Sequence, residues 1–423
     1  MRNIILVTLE SVRADHCSFL GYKKKTTPTL EKIAKEGVCF ENAYAAGHAT
    51  PISMIGTFTG NLMTEYLNCD YSQKKFTENI RLNLKKRKTL AENLSERGYT
   101  TGAFNPSTFA SRYFGFNKGF QFFEDFLFNE NLVDKLTKGG KFIYLVRNVR
   151  DLLTKQGAFK TWESFYKDLL NWIKNVKQPF FLWIFLLDTH LPYLTPAKYR
   201  KWTNFFNMYY YNWKLFRVLF KKGVNFSEKE REKLINAYDN SIFYADKFFE
   251  RLLSDVIEYD PVIIVHSDHG ESFGERGMYG HEFASLYEEN IHVPLIIWNG
   301  DEKGKIKRPV SMLDLYQTII ELADGKSLSQ TPLIEDSDKL IFSKAISWRD
   351  GCRLISVRIG EWKYIGWKDR GELYNLEEDP KETQNLINTY PSLAKEMKKV
   401  VNQKIKHEEE ERKIYKKIQK VKL

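Results

Sequence analysis

The sequence predicts an α/β protein: a doubly wound, mostly parallel sheet with a small antiparallel sheet appended near the C-terminus. Three observations predict it. Residues 3–9, NIILVTL, are a continuous apolar run, the pattern of a strand buried on both faces. Four later segments each place an amphipathic stretch, a Gly or Pro, and then a β-rich run in that order, which is helix-then-strand alternation. After about residue 340 the alternation gives way to short β-rich runs separated by turns.

In order along the chain, 27–45 (TPTLEKIAKEGVCFENAYA) offers Thr27 as a cap, Pro28 at the first helical position and Gly37 to end the helix, with the strand VCFENAY behind it. Residues 89–104 repeat the pattern about Gly98, 161–187 about Pro179, and 241–268 about Pro261. The runs KAISWRD, RLISVRIGEWKYIGW and GELYNL then predict the small antiparallel sheet. The organisation expected is an α/β domain over 1–340, a β-rich subdomain over 341–390 and a charged tail over 391–423. That tail carries eleven Lys/Arg against five Glu and reads as a solvated, fraying helix. Two segments fit the alternation poorly. Residues 131–155 read as a basic amphipathic helix, and 200–222 are crowded with aromatic and basic residues. Either suits a membrane surface or a cover over the active site, and burial of the aromatic residues beneath a lid is the preferred reading.

With 423 residues, 43% hydrophobic and 15% aromatic, the chain can bury a sizeable core. The net charge of +11 favours anionic partners, although a Lys-rich soluble surface explains it equally well. No DNA- or RNA-binding signature accompanies it. Four cysteines without paired spacing suit a reducing compartment. The N-terminus is too short for a signal peptide and no apolar window reaches 18 residues. The expectation is therefore a cytoplasmic protein, with peripheral contact at the inner membrane face left open.

Ligands of an open α/β sheet bind beyond the carboxyl ends of its strands. Strand one ends in Glu10-Ser11, the strand at 180–187 in Asp188-Thr189-His190, and the strand at 261–266 in Ser267-Asp268-His269. These residues are expected to converge on one rim. Glu10, Asp268 and His269 are a hard-oxygen set with one imidazole, suited to one divalent ion such as Mn, Mg, Ca or Zn. Thr50 lies in a loop before SMIGTFTG, which is expected to start a helix at or just after Ser53. A hydroxyl held by a divalent cation is acidified and becomes a nucleophile. From this stretch alone, a helix cap at Thr50 or Ser53 is the simpler reading.

Taken together, NIILVTLESVRADHCSFLGY, TPTLEKIAKEGVCFENAYA, TPISMIGTFTG, FFLWIFLLDTHLPY, SDHGESFGERGMYGHE, VPLIIW and KYIGWKDRGELYNLEEDPKETQNL resemble, in order and over nearly the whole chain, the sulfatase family of the alkaline phosphatase superfamily. The resemblance implies the alkaline phosphatase-like form of the fold. It implies metal ligation by Glu10, Thr50, Asp268 and His269, with Thr50 as nucleophile and His190 and His281 contacting the ester or its leaving group. Lys363 is a weaker match. Sulfate-cleaving members convert a Cys or Ser in Cys/Ser-x-Pro-x-Arg to formylglycine. Here the residues are Thr50-Pro51-Ile52-Ser53-Met54, so no formylglycine is expected, and Ser11 replaces the second acid of the family's Asp pair. These departures resemble the threonine-nucleophile branch of lipoteichoic-acid synthases and phosphoglycerol transferases. Ser53 is the rival nucleophile. His48 is a base or a cap, with the cap preferred.

The function expected is metal-dependent hydrolysis or transfer of phosphate or sulfate esters, with phosphoryl chemistry favoured and an anionic lipid, glycan or small-molecule ester as partner. The alternatives are a sulfate-ester hydrolase without formylglycine, and an inactive binding protein on the same fold.

Overall fold

The computed structural model describes residues 1–125, 160–220, 225–281, 283–335 and 339–421. The segment expected to form a basic helix at 131–155 lies outside them.

The strands are β1 (Ile4–Leu9), β2 (Val38–Tyr44), β3 (Thr100–Phe104), β4 (Phe122–Glu124), β5 (Phe180–Leu186), β6 (Val262–Ser267), β7 (Ser272–Phe273), β8 (Tyr279–Gly280), β9 (His292–Trp298), β10 (Gly304–Ile306), β11 (Val310–Ser311) and β12–β15 (Ile341–Ile346, Arg353–Ile359, Trp362–Trp367, Arg370–Asn375). The helices are α1 (Pro28–Glu36), α2 (Thr50–Thr59), α3 (Gln73–Lys86), α4 (Leu90–Glu96), α5 (Trp162–Asn175), α6 (Phe205–Phe220), α7 (Glu228–Val256), α8 (Glu288–Ile291), α9 (Asp314–Ala323), α10 (Pro332–Glu335) and α11 (Pro391–Val421).

Nine strands form the main sheet in the order β10-β2-β9-β6-β1-β5-β3-β4, with β11 also beside β2. β6, β1, β5 and β3 are parallel neighbours, and β9 runs against both β2 and β6. Alternate residues of each central strand enter opposite cores, as a period of two requires. Ile4 and Leu6, with Phe181, Trp183 and Ile264, face a layer that includes α2, α4 and α9. Ile5, Val7 and Leu9, with Leu182, Ile184 and Val265, face α1, α5 and α7. Each fully buried side chain of this kind contributes roughly 1.5–3 kcal/mol. The parallel centre places the ends of β1, β5 and β6 on one rim.

The small sheet, β12-β13-β14-β15, is antiparallel throughout. α11 differs from its expected solvated character. Ala394, Met397, Val401 and Ile405 form one buried stripe against Val357, Tyr364 and Leu373, because their spacing of three and four keeps them on one helical face. Thr27 occupies the position before α1 but does not cap it with its side chain. Its hydroxyl accepts from the Ser18 amide, and the Asp246 carboxylate of α7 accepts from the first helical amides, Thr29 and Leu30. The aromatic segment from 200 folds in part as α6. Only one of its faces is buried, contrary to the expectation that its aromatic residues lie covered. Among the described residues, no helix is long and apolar enough to cross a membrane.

Candidate active site

The nucleophile candidate is set by α2, which starts at Thr50 rather than at Ser53. Ala49 is the extended residue before it, Pro51 supplies a fixed φ in the first turn, and the Ile52 and Ser53 amides both bond the Ala49 carbonyl. Two glycines allow this placement. At Gly56 a Cβ would come within 2.3 Å of the Ala46 Cβ, so only glycine lets α2 lie this close to the chain leaving β2. Gly60 ends the helix at φ +66. Phe58 anchors the other end on Trp183, with ring centroids 4.5 Å apart.

Thr50 and Ser53 therefore do not cap α2. The Thr50 hydroxyl donates to Glu10 Oε1 at 2.8 Å and lies 3.3 Å from His269 Nε2. That nitrogen is also 3.5 Å from Glu10 Oε1 and 3.5 Å from Asp268 Oδ2. Residues from the ends of β1 and β6 and the start of α2 thus meet around one imidazole nitrogen. The Ser53 hydroxyl donates to the Asp268 carbonyl and so braces the acid's backbone. His48 is buried and its Nδ1 has no hydrogen-bond partner, so it is not a cap either. Burial, reinforced by the charges of His269 and His281, lowers its pKa to about 3 and keeps it neutral.

The backbone holds the acids in place. Asp268 Oδ1 accepts from the Ser11 and His269 amides, at 2.9 and 2.8 Å, and Ser11 adopts φ +56 to deliver its amide. The Thr189 hydroxyl donates to the Glu10 carbonyl. Burial, with the nearby Glu10 charge, pushes the Asp268 carboxyl up to about 7. Burial also works against ionised Glu10, but the His269 hydrogen bond and the neighbouring imidazoles outweigh it and bring Glu10 to about 2. For His269 the desolvation is overcome by Asp268 and Glu10, which raise it to about 9.

The donor set fits a divalent cation. Glu10 Oε2 and Asp268 Oδ2 are both buried and neither has a hydrogen-bond partner. Two acids buried together with unpaired oxygens are costly without a positive charge between them. His269 Nδ1 lies 2.8 Å from the Gly270 carbonyl, so one ring proton is held there, and a cation that displaced the Nε2 proton would meet a lone pair on the side facing the acids. Ligand atoms of Glu10, His269 and His281 also lie within 4.8 Å of one another.

His190 and His281 stand beside this cluster, with ring centroids 5.4 Å apart, and His281 is 4.5 Å from His269. Not every strand-end residue joins them. Asp188 turns away and accepts from the Trp162 amide at the start of α5, and burial raises its carboxyl to about 7. His266, in the same histidine-rich run, points into the sheet and bonds Thr8 Oγ1 at 2.8 Å. Lys363 is buried between Glu288 and Glu382, 2.8 Å from each, and ties the small sheet to the loops behind the site.

Sequence reasoning missed Glu271. Its buried carboxylate lies 3.0 Å from His281 Nδ1 and accepts from the Tyr193 hydroxyl at 2.9 Å, so it fixes the His281 ring and the loop after His190 together. The signal was present: it is the next acid after Asp268, in DHGES.

A family model described as Sulfatase matches residues 2–325. An arylsulfatase of Clostridium perfringens is 24% identical over 96% of this chain and 95% of its own. The phosphatidylethanolamine transferase Mcr-1 of Escherichia coli is 25% identical over 72% of this chain and 49% of its own. The chain spans about half the length of Mcr-1 and of a sulfatase from Formosa agariphila. Among solved structures, the phosphonate monoester hydrolase of Agrobacterium radiobacter superposes with a TM-score of 0.71 at 17% identity, over 96% of each chain, and shares the fold. The Sulfatase model takes in most of this chain, including the rim that carries Glu10, Thr50, Asp268 and His269, and the chain belongs to the Sulfatase family.

Proposed function

We propose that this protein is a metal-dependent hydrolase or transferase of phosphate esters that uses Thr50 as its nucleophile. The observation that carries the reading is the Thr50 hydroxyl bonded to Glu10 within the Glu10–Asp268–His269 cluster, at the N-terminus of α2. Glu10, Thr50, Asp268 and His269 would hold one divalent ion, which when bound supplies charge neutralisation and lowers the pKa of a ligated hydroxyl. Residues 1–340 form the catalytic unit in this reading, and 341–390 an accessory sheet.

The chain's own residues do the rest. The amide end of α2 favours an anionic ester in front of Thr50. Glu10 orients the hydroxyl by accepting its proton in a hydrogen bond. Thr50 Oγ1 attacks phosphorus as its proton passes to the Glu10 carboxylate, the new Oγ1–P bond forms as the bond to the leaving oxygen breaks, and His190 or His281 gives that oxygen a proton. Glu271 keeps His281 turned to the site. Water or an acceptor hydroxyl then attacks the phosphorus of the phosphothreonine, giving its proton to the histidine that protonated the leaving group, and the Oγ1–P bond breaks as Glu10 returns the proton to Thr50.

The similarity to an arylsulfatase along the whole chain supports sulfate esters as a second substrate class. The threonine favours phosphoryl chemistry, because formylglycine is made from Cys or Ser. The test is turnover of a bis-aryl phosphate against an aryl sulfate by wild type and Thr50→Ala, with metal content measured on both. Loss of diester turnover with the metal retained supports the reading. Normal turnover by Thr50→Ala removes it, and preferential sulfate cleavage reverses the substrate order.

A further inference from the structure

α6 is apolar on two opposite faces. Met208, Asn212 and Leu215 form its buried stripe. Asn212 accepts from the Tyr193 amide, Met208 sulfur from the Thr195 amide, and the helix also packs against β8, just before His281. The loops carrying His190 and His281 therefore buttress it. The opposite stripe is Phe206, Tyr210 and Trp213, exposed by 80%, 50% and 47%, with exposed Arg217 next in the same row. A helix on the surface of a protein that meets only water carries polar residues on such a face. The three rings together expose on the order of 400 Å², a size of patch that marks an interaction surface. It is about half of the roughly 800 Å² per partner that a stable dimer buries.

The charge around the stripe indicates what it meets. Between Leu191 and Phe220 there are five basic residues and no acid. Lys198 and Lys214 pair with Glu163 and Glu230. Arg200, Lys201 and Arg217 have no ion pair among the described residues. Two of these cations lie over exposed rings, Arg200 5.7 Å from the Phe205 centroid and Arg217 5.0 Å from that of Trp213. Aromatic side chains on one face, flanked by cations that no acid neutralises, match the boundary between headgroups and acyl chains in an anionic bilayer.

We propose that the Phe206–Tyr210–Trp213 stripe of α6, with Arg200 and Arg217 beside it, seats this protein on a bilayer carrying anionic headgroups. Seating by α6 holds the His190 and His281 loops next to the headgroups. The proposal is independent of which residue is the nucleophile.

The test is co-sedimentation of the full chain with vesicles of phosphatidylcholine alone and of phosphatidylcholine with phosphatidylglycerol, at low and high salt. Wild type and the triple variant Phe206→Ser, Tyr210→Ser, Trp213→Ser are compared, with turnover of a soluble diester and the sedimentation coefficient measured on both. The expected result is binding of wild type to the anionic vesicles only, released by salt, and weakened about tenfold or more in the variant with soluble turnover unchanged. Thr50→Ala is expected to bind vesicles like wild type, which separates this proposal from the functional one. Equal binding by the triple variant, no preference for anionic lipid, or a wild-type dimer in solution that the triple variant dissolves would each overturn it.

Discussion

Asp268→Asn should stabilise the metal-free protein and abolish its response to metal. Asp268 Oδ1 is fixed by two backbone donors, so the asparagine must keep its carbonyl there and place its NH2 where Oδ2 now stands, facing His269 Nε2. An amide nitrogen in that place cannot ligate a cation. Moving a buried carboxyl from 3.8 to about 7 corresponds to roughly 4 kcal/mol against its ionised form at pH 8. The favourable His269 charge is already contained in that value, so the variant gains stability, by a few kcal/mol at most. The sign follows from the raised value. Below pH 3.8 the carboxyl is protonated in both folded and unfolded chains and the substitution is neutral. The gain appears as pH rises toward 7 and is level above it. Divalent cation at about a thousandfold its dissociation constant adds about 4 kcal/mol to wild type and nothing to the variant, so the metal erases the variant's advantage. Denaturant unfolding at pH 8, with chelator and then with Mn2+, reads both states. A variant less stable than wild type in chelator, or one stabilised equally by the metal, would refute the reasoning.

Other substitutions test separate parts of the site. Glu271→Gln places an amide NH2 against one of two donors, His281 or Tyr193. It should lower kcat about 10–100-fold with little change in KM and cost about 1–3 kcal/mol of stability, and an unchanged kcat would remove Glu271 from the machinery. Ser53→Ala loses one hydrogen bond to a carbonyl, so about 1 kcal/mol of stability, and turnover should stay within about tenfold of wild type. Turnover abolished in a folded Ser53→Ala protein would make Ser53 the nucleophile. Lys363→Met leaves the buried Glu382 carboxylate without its cation and should cost about 3–5 kcal/mol. Burial already raises Glu382 to about 7, so the deficit should grow as pH rises through 7. Unfolding at pH 5 and pH 8 checks that, and equal deficits would contradict it.

How much was legible in the sequence depended on whether the signal was local. The apolar run of β1, the capping box Thr89–Glu92 of α4 and the Pro–strand junctions at Pro179 and Pro261 announce themselves within a few residues. The start of α2 did not, because it is set by the Ala49 carbonyl, which takes the Ile52 and Ser53 amides, while Thr50 and Ser53 are equally good cap residues by type. Asp188 and His266 occupy strand ends that resemble the functional ones. Which way each side chain turns was decided by Trp162 and Thr8, far away in sequence. Glu271 stands in view just after Asp268, but its role exists only through Tyr193 and His281, so its place in the sequence did not assign that role. The C-terminal helix looked solvated by charge, yet four apolar residues in a single row sufficed to dock it.

In the proposed reaction the Thr50 hydroxyl becomes covalently bound to phosphorus. Rapid quenching during turnover of a slow aryl phosphodiester, followed by peptide mapping by mass spectrometry, tests it most directly. With Thr50 as the nucleophile, a phosphoryl adduct appears on the peptide carrying Thr50, assigned to Thr50 by fragmentation and absent from Thr50→Ala. An adduct on Ser53, or an initial burst of product with no adduct anywhere on that peptide, would contradict it.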